Sequence, residues 1–247
     1  MSLQLLGHVG KAIELMEEGL RHARESRRLY DLGFVLTATG GLMRGYRREP
    51  EILRLYAEEA IALCEENGFA EWLSQGRFCL GWALAELGQL EQGVRQIEAG
   101  IAGSRAIGGH ASQQYATALL THSYGKMGRT QEALALLSNI LTNIGSMGQT
   151  VQQAEMLRLK GEIMLMHDTG ATEQAEACFR RALEVARAQE ARWWELRTSV
   201  SLARLLRDTN RRDEARATLG EIYAWFTEGF ELPDLRDAKT LLDQLSL

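Results

Sequence analysis

The stretch CLGWALAELGQLEQGVRQIEAGI, Cys79 to Ile101, decides the fold. It reads as two helices joined by a short turn, yet it holds Gly81, Gly88, Gly93 and Gly100. A glycine inside a helix costs about 0.5–1 kcal/mol against alanine, because it surrenders more backbone freedom on folding. A sequence that keeps accepting that cost needs a compensating gain, and close approach of the two helices supplies one.

The glycines lie on a ruler that runs through the chain. Gly41, Gly81, Thr121, Gly161 and Ala203 stand 40, 40, 40 and 42 residues apart. A second column holds Leu53, Gly93, Ala133, Ala175 and Ala215, and a third holds Ala60, Gly100, Ile140, Ala182 and Ile222. Gly68, Gly108 and Gly148 separate the units, with Glu190 in the next place. Inside each unit the helices are parted by LGQLEQ, MGRTQE, DTGATEQ and DTNRRDE, where Thr130, Thr172 and Asn210 are expected N-caps. Small columns of this kind mark where paired helices cross at the close end of the usual packing range of about 8–10 Å. The 42-residue step is a two-residue extension of the turn at Asp168–Thr172.

The surrounding sequence agrees. Only two prolines occur, Pro50 and Pro233, leaving 182 residues between them in which no helix is broken. Segments such as EILRLYAEEAIALCEENG and AEACFRRALEVARAQ space apolar residues at three and four, and no sustained alternation of strand type appears. The expected architecture is all-α, a right-handed α-solenoid of about five helix–turn–helix repeats. It forms a single domain over 1–247. An orphan helix covers 8–25, repeats cover about 29–66, 69–106, 110–145, 149–188 and 191–228, and a capping helix covers 234–245. First helices are expected over about 29–46, 69–87, 110–127, 149–167 and 191–208. Leu235, Ala238, Leu241, Leu242 and Leu245 give the cap one apolar stripe, as a terminal repeat requires. Leu6, Val9, Ile13 and Met16 on the orphan helix would face a missing partner. That suggests a chain cut from a longer protein, or a homodimer formed through this helix.

Arg47–Gln89 (beginning RREPEILRLY), AEMLRLKGEIML at Ala154–Leu165 and, most specifically, Ala175–Leu245 (beginning AEACFRRALEVARAQEARWWEL) resemble long-repeat tetratricopeptide arms. Such arms form the C-terminal part of bacterial adenylate/guanylate cyclase–ATPase proteins and signal-transduction ATPase transcriptional regulators. The repeat here is longer than the short tetratricopeptide form, lacks its closing proline, and has Glu190 where glycine is expected before ARWWEL. The resemblance implies a signalling arm in the cytoplasm whose partner is a protein or peptide segment, including an ATPase or output domain of the same polypeptide. No cyclase, ATPase or DNA-binding segment lies within these 247 residues, so those activities are not assigned to them.

Catalytic signals are poor. GHVGKA, Gly7 to Ala12, lacks the first glycine and the hydroxyl residue of a phosphate loop and reads as a helix start. His8, His22, His110, His122 and His167 are scattered, and Cys64, Cys79 and Cys178 lack metal spacing. No cofactor, metal or enzymatic activity is expected. A net charge of −5 argues against nucleic acid, and no window approaches about 18 apolar residues, which argues against a membrane span.

What remains is a surface. First helices line the inner side of a right-handed stack, a recurrent partner-binding face. That side should present Phe78, Trp82 and Glu86, then Tyr115, His122 and Lys126, then Arg158 and Glu162, and finally Arg197, Arg204 and Arg207. Trp82 serves either as a partner's anchor or as inter-repeat packing. The arginines either gather carboxylates or phosphates, or pair along their own helices, Arg158 with Glu155 or Glu162 and Arg204 with Asp208. Trp72 stands at the place that Trp194 takes three repeats later, which favours packing, and Trp225, Phe226 and Phe230 are expected to seat the cap. The leading expectation is a non-catalytic interaction or sensor arm. The rivals are a small-molecule effector sensor and a self-associating structural module.

Overall fold

The computed structural model describes residues 3–39, 45, 47–109, 111–147 and 151–246. Gly41 and Gly148 of the repeat ruler, and His110, lie outside the described residues. Among the described residues every regular element is a helix. They are α1 (Val9–Glu25), α2 (Leu29–Phe34, continued by a π-helical turn, Val35–Thr39), α3 (Pro50–Asn67), α4 (Ala70–Glu86), α5 (Leu90–Ala106) and α6 (Ala111–Lys126). The chain continues through α7 (Thr130–Met147), α8 (Gln153–His167), α9 (Thr172–Ala188), α10 (Arg192–Asp208), α11 (Arg212–Tyr223) and α12 (Pro233–Leu245). No helix of the described residues is long and apolar enough to cross a membrane.

Two compact units share this succession: one is Ile13–Arg129, the other Met1–Ala12 together with Thr130–Leu247. In the first, α4 and α5 cross at the predicted glycines. A Cβ added to Gly81 would stand 2.6 Å from the Gly93 carbonyl oxygen and 2.9 Å from the Ile97 nitrogen, and one added to Gly93 would stand 2.5 Å from the Gly81 oxygen. Farther along the same crossing the Phe78 ring and the Ser74 carbonyl crowd Gly100. In the second unit Gly161 of α8 receives the ring of Phe179 from α9 in the same way. Ala60, Thr121, Ala133, Ala175, Ala182, Ala203 and Ala215 of the columns are fully buried, while Ile140 is only half-buried.

A second ruler has half the period. Gly7, Arg27, Arg48, Gly68, Gly88, Gly108 and Gly128 take positive φ at intervals of 20 or 21 residues, and Glu190, Asn210 and Gly229 follow at intervals of 20 and 19. All but Gly229, which lies in the α11–α12 connection, end a helix or a helical turn. The next residue's N–H then returns to the preceding turn, as in Phe69 to the Cys64 oxygen (3.0 Å), Gln89 to Leu84 (2.8 Å) and Ala191 to Ala186 (2.9 Å). The turn at Glu190 therefore matches its glycine counterparts, with a side chain forced into φ +53°. The extended turn is different: Asp168 is in the β region, and its carboxylate accepts the Gly170 N–H at 2.8 Å.

This turn geometry corrects the expected caps. The left-handed residue precedes the helix by two positions, so the residue between them becomes the cap. Asn210, at φ +62°, thus ends α10 while Arg211 precedes α11; in the extended turn, where no residue takes positive φ, Thr172 is the first helical residue after Ala171. Thr130 is likewise the first residue of α7, and its hydroxyl lies 2.8 Å from His167 Nδ1.

The exposed apolar face expected on the orphan helix is also corrected. Val9 and Met16 are fully buried and Leu6 and Ile13 half-buried. In the first unit Leu20 of α1 joins Leu36 and Ala60, and Arg24 pairs with Glu59 of α3 at 2.8 Å. In the second, residues 3–12 lie against α10 and the α11–α12 turn. The premise for pairing two copies through α1 is gone.

Two expectations follow. Gly81→Ala lowers stability by about 2 kcal/mol through overpacking, although alanine is the better helix former. Gly19→Ala in α1, where an added Cβ meets nothing within 4 Å, raises it by about 0.5–1 kcal/mol. Denaturant titration of both variants checks the opposite signs. Glu190→Gly, which relieves a left-handed side chain at the cost of a freer unfolded chain, raises the unfolding free energy by about 1 kcal/mol or less in the same assay.

Candidate functional site

The predicted inner-face residues bind one another across successive first helices. In the first unit, Glu86 at the end of α4 meets α6: its Oε1 accepts from Lys126 Nζ at 3.0 Å and lies 2.9 Å from His122 Nε2. Burial acts to raise the Glu86 carboxyl, but the hydrogen bond and charge of His122, then those of Lys126, outweigh it and draw it down to about 2. All three side chains remain partly open, 24% for Glu86 and 35% for His122 and Lys126. Trp82 and Tyr115 are each only 9% exposed, so neither offers a ring face. Phe78 is a correction, since it is wholly buried as the ring that fills the Gly100 crossing.

The second unit builds a denser version. Arg158 of α8 donates Nε–H and Nη2–H to the two oxygens of Glu155, both at 2.7 Å, and pairs through Nη1 with Glu162. From α10, Ser201 donates its hydroxyl to Glu162 Oε1 at 2.8 Å, and Arg197 reaches Glu155 at 3.2 Å. Arg197 also stands 3.9 Å from buried Asp234 of α12. Burial disfavours the Glu155 and Glu162 carboxylates, yet the Arg158 charge, with Arg197 behind it, holds both below the ordinary carboxylate range. The same carboxylates overcome the burial of Arg158 and hold its guanidinium charged. Arg158 is thus corrected from a surface residue to a buried one. Arg204 pairs with Asp237 of α12 at 3.9 Å in place of Asp208, which goes to Arg207 at 2.9 Å. Arg207 also donates to Gln244 of α12 at 3.2 Å.

The tryptophans at matching positions pack backwards, each onto the preceding repeat. Trp194 donates Nε1–H to the Val151 oxygen at 2.9 Å beneath the Arg197 guanidinium, and Trp72 meets the rings of Tyr30 and Phe34 at 5.6 and 5.1 Å. Of the residues expected to seat the cap, Phe226 is buried edge-on to Trp193 at 5.9 Å, whereas Phe230 is exposed beside Tyr223. Burial pushes the thiols of Cys64 and Cys79 up to about 11 and 12, far from thiolate chemistry. Among the described residues no group of three or more His, Cys, Asp or Glu could hold a metal ion.

Comparison with solved structures finds the same helical arrangement elsewhere. A kinesin-light-chain-like protein of Podosopora anserina with nearly identical TPR-like repeats matches with a TM-score of 0.53 at 18% identity, over 82% of this chain and 95% of that one. BtubC (BKLC) of P. vanneervenii matches with a TM-score of 0.57 at 14% identity, over 96% and 88%. The fold is the TPR-like α-solenoid. No protein-family model and no curated protein matches the sequence.

The intrahelical pairing expected of Arg158 is present with both Glu155 and Glu162, that of Arg204 with Asp208 is not, and the partners on other helices were missed. Ser201, Asp234 and Asp237 complete the seam, and the available signal was opposite charge on α12 facing the Arg197–Arg204 side of α10. Arg158→Met is expected to cost about 3 kcal/mol, because it takes the bidentate partner from buried Glu155 and the ion pair from half-buried Glu162. The depressed Glu155 and Glu162 give the wild type a stabilising contribution. It is complete above the usual carboxylate range and lost as pH falls through their lowered folded values. Urea titrations between pH 7 and 3 should therefore show a steeper acid loss in the wild type than in Arg158→Met.

Proposed function

We propose that this chain is a protein- or peptide-binding module that works through the first-helix face, as the sensor or interaction arm of a bacterial cytoplasmic signalling protein. One observation carries the reading: half-open charged side chains of successive first helices are already fixed against one another, as Glu86 fixes His122 and Lys126. Donors held this way lose little freedom when a ligand arrives, which lowers the cost of binding. The TPR-like fold, which supplies a surface and no reaction centre of its own, supports the same conclusion.

The pairing also narrows the ligand. Arg158 is committed to two carboxylates and does not reach a partner. The basic groups left in part to solvent are Lys126 in one unit and Arg204 and Arg207 in the other, with side chains 35%, 47% and 31% exposed. Each face therefore suits an extended segment carrying carboxylates, with main-chain groups meeting the remaining polar side chains. Binding to it would bias how adjoining repeats pack and so pass occupancy to an output domain of the same polypeptide.

A peptide array probed with the full chain, followed by fluorescence anisotropy on the strongest binders, tests the reading. Lys126→Ala and Arg204→Ala should each weaken an acidic peptide at least fivefold, about 1 kcal/mol, with the chain still fully folded at the assay temperature. The reading fails if no peptide binds, or if both variants bind as the wild type does.

A further inference from the structure

We propose that the last repeat carries a second peptide seat, built by Trp193, Trp225, Phe226 and Glu228 and filled in cis by residues 3–12 of the same chain. A partner segment of matching chemistry competes for it. This surface is separate from the first-helix face and does not rest on the function proposed for it.

The occupant shows what the seat takes. Residues 3–7 form one helical turn, closed by the Gly7 N–H to the Gln4 oxygen and the His8 N–H to the Leu3 oxygen, both at 2.9 Å. Gly7, at φ +94°, lies beneath the Trp225 ring so closely that a Cβ there would stand 2.3 Å from it. Leu5 and Val9 are buried, and Val9 meets Gly229 in the α11–α12 turn. Two hydrogen bonds hold the ends, each capping a helix start. The Leu5 carbonyl accepts the N–H of Trp193 in the first turn of α10 at 3.0 Å, and Glu228 accepts the N–H of Gly10 in the first turn of α1 at 3.0 Å. Amides of a first helical turn have no partner within their own helix, so both contacts are satisfied only while the segment is seated.

The fit is imperfect at one place. Gln4 is completely buried, and neither its amide oxygen nor its amide nitrogen has a hydrogen-bond partner; the indole Nε1 of buried Trp193 has none either. Burying an amide without a partner is costly, so the resident segment holds the seat more weakly than its apolar contacts alone would allow. A competing segment should place an apolar side chain where Gln4 stands. It should keep an apolar residue, a glycine and a valine at the Leu5, Gly7 and Val9 places, and offer an N–H to Glu228. Tethering gives the resident segment a high effective concentration, and apparent affinity for a competitor scales with the fraction of seats left vacant.

The test is a fluorescein-labelled peptide of residues 3–12 carrying Gln4→Leu, titrated into the full-length chain and followed by anisotropy. The full-length Gly7→Val variant, whose own segment clashes with Trp225, should bind it at least tenfold more tightly than the wild type. The same peptide with Gly7→Val should bind neither. Hydrogen exchange on the wild type provides the reading that needs no variant. The Gly10 and Trp193 amides should exchange through an opening faster than that of the α10 interior. If they exchange only with global unfolding, or if the peptide fails to bind either chain, or binds equally well with valine in place of its glycine, the proposal is overturned.

Discussion

The approach of α4 to α5 at Gly81 and Gly93 is the contact on which the remaining geometry depends. Backbone oxygen and nitrogen atoms occupy the space where side chains would begin, so the crossing is set by main-chain contact. A crossing fixed in that way tolerates little variation. At Gly161 the ring of Phe179, in place of main chain, fills the room a side chain would take, and buried alanines stand at equivalent places of the other pairs. Glycine's weak helix propensity is the cost of that closeness, and dispersion over the opposed surfaces offsets it.

Fixed crossings make the polar seam possible. Successive first helices stand near enough for a carboxylate on one to hold cations on the next, loosely at Glu86 and tightly around Arg158. The two seams differ through burial. Around Glu86 all three groups keep contact with water and stay open to a ligand, whereas Arg158 and Glu155 are enclosed and satisfy each other, with Glu162 half-open at their edge. The first can recognise, while the second chiefly specifies how α8, α10 and α12 fit.

Much of the fold was legible because each repeat writes the same physical need at the same interval. Small residues every 40 positions gave the crossings, and the glycines between helices gave the turns. The N-caps were misassigned because threonine and asparagine suit a cap on chemistry alone, whereas at α7 and α11 a left-handed residue two positions earlier, Gly128 and Asn210, decides where the helix begins. Glu190 shows the converse, since a residue ill-suited to φ +53° is held there by the repeat. Of the bonds at the site, those within one helix were legible and those between helices were not. Spacing along α8 pairs Arg158 with Glu155 and Glu162, but whether Arg197 meets solvent or Glu155 depends on separations across helices that one helix's spacing does not encode. The burial of Val9 and Leu5 rests on contacts to Gly229 and Trp193, which no local pattern signals.

The most direct measurement is the set of through-space proton contacts at the α4–α5 crossing, read by NMR on the folded chain. Strong cross-peaks from the Gly81 α-protons to the amide and γ-protons of Ile97 are predicted, since those atoms surround the place a Cβ would take. Their absence in a chain that is otherwise folded and helical would contradict the claim that main-chain contact at small residues sets the architecture.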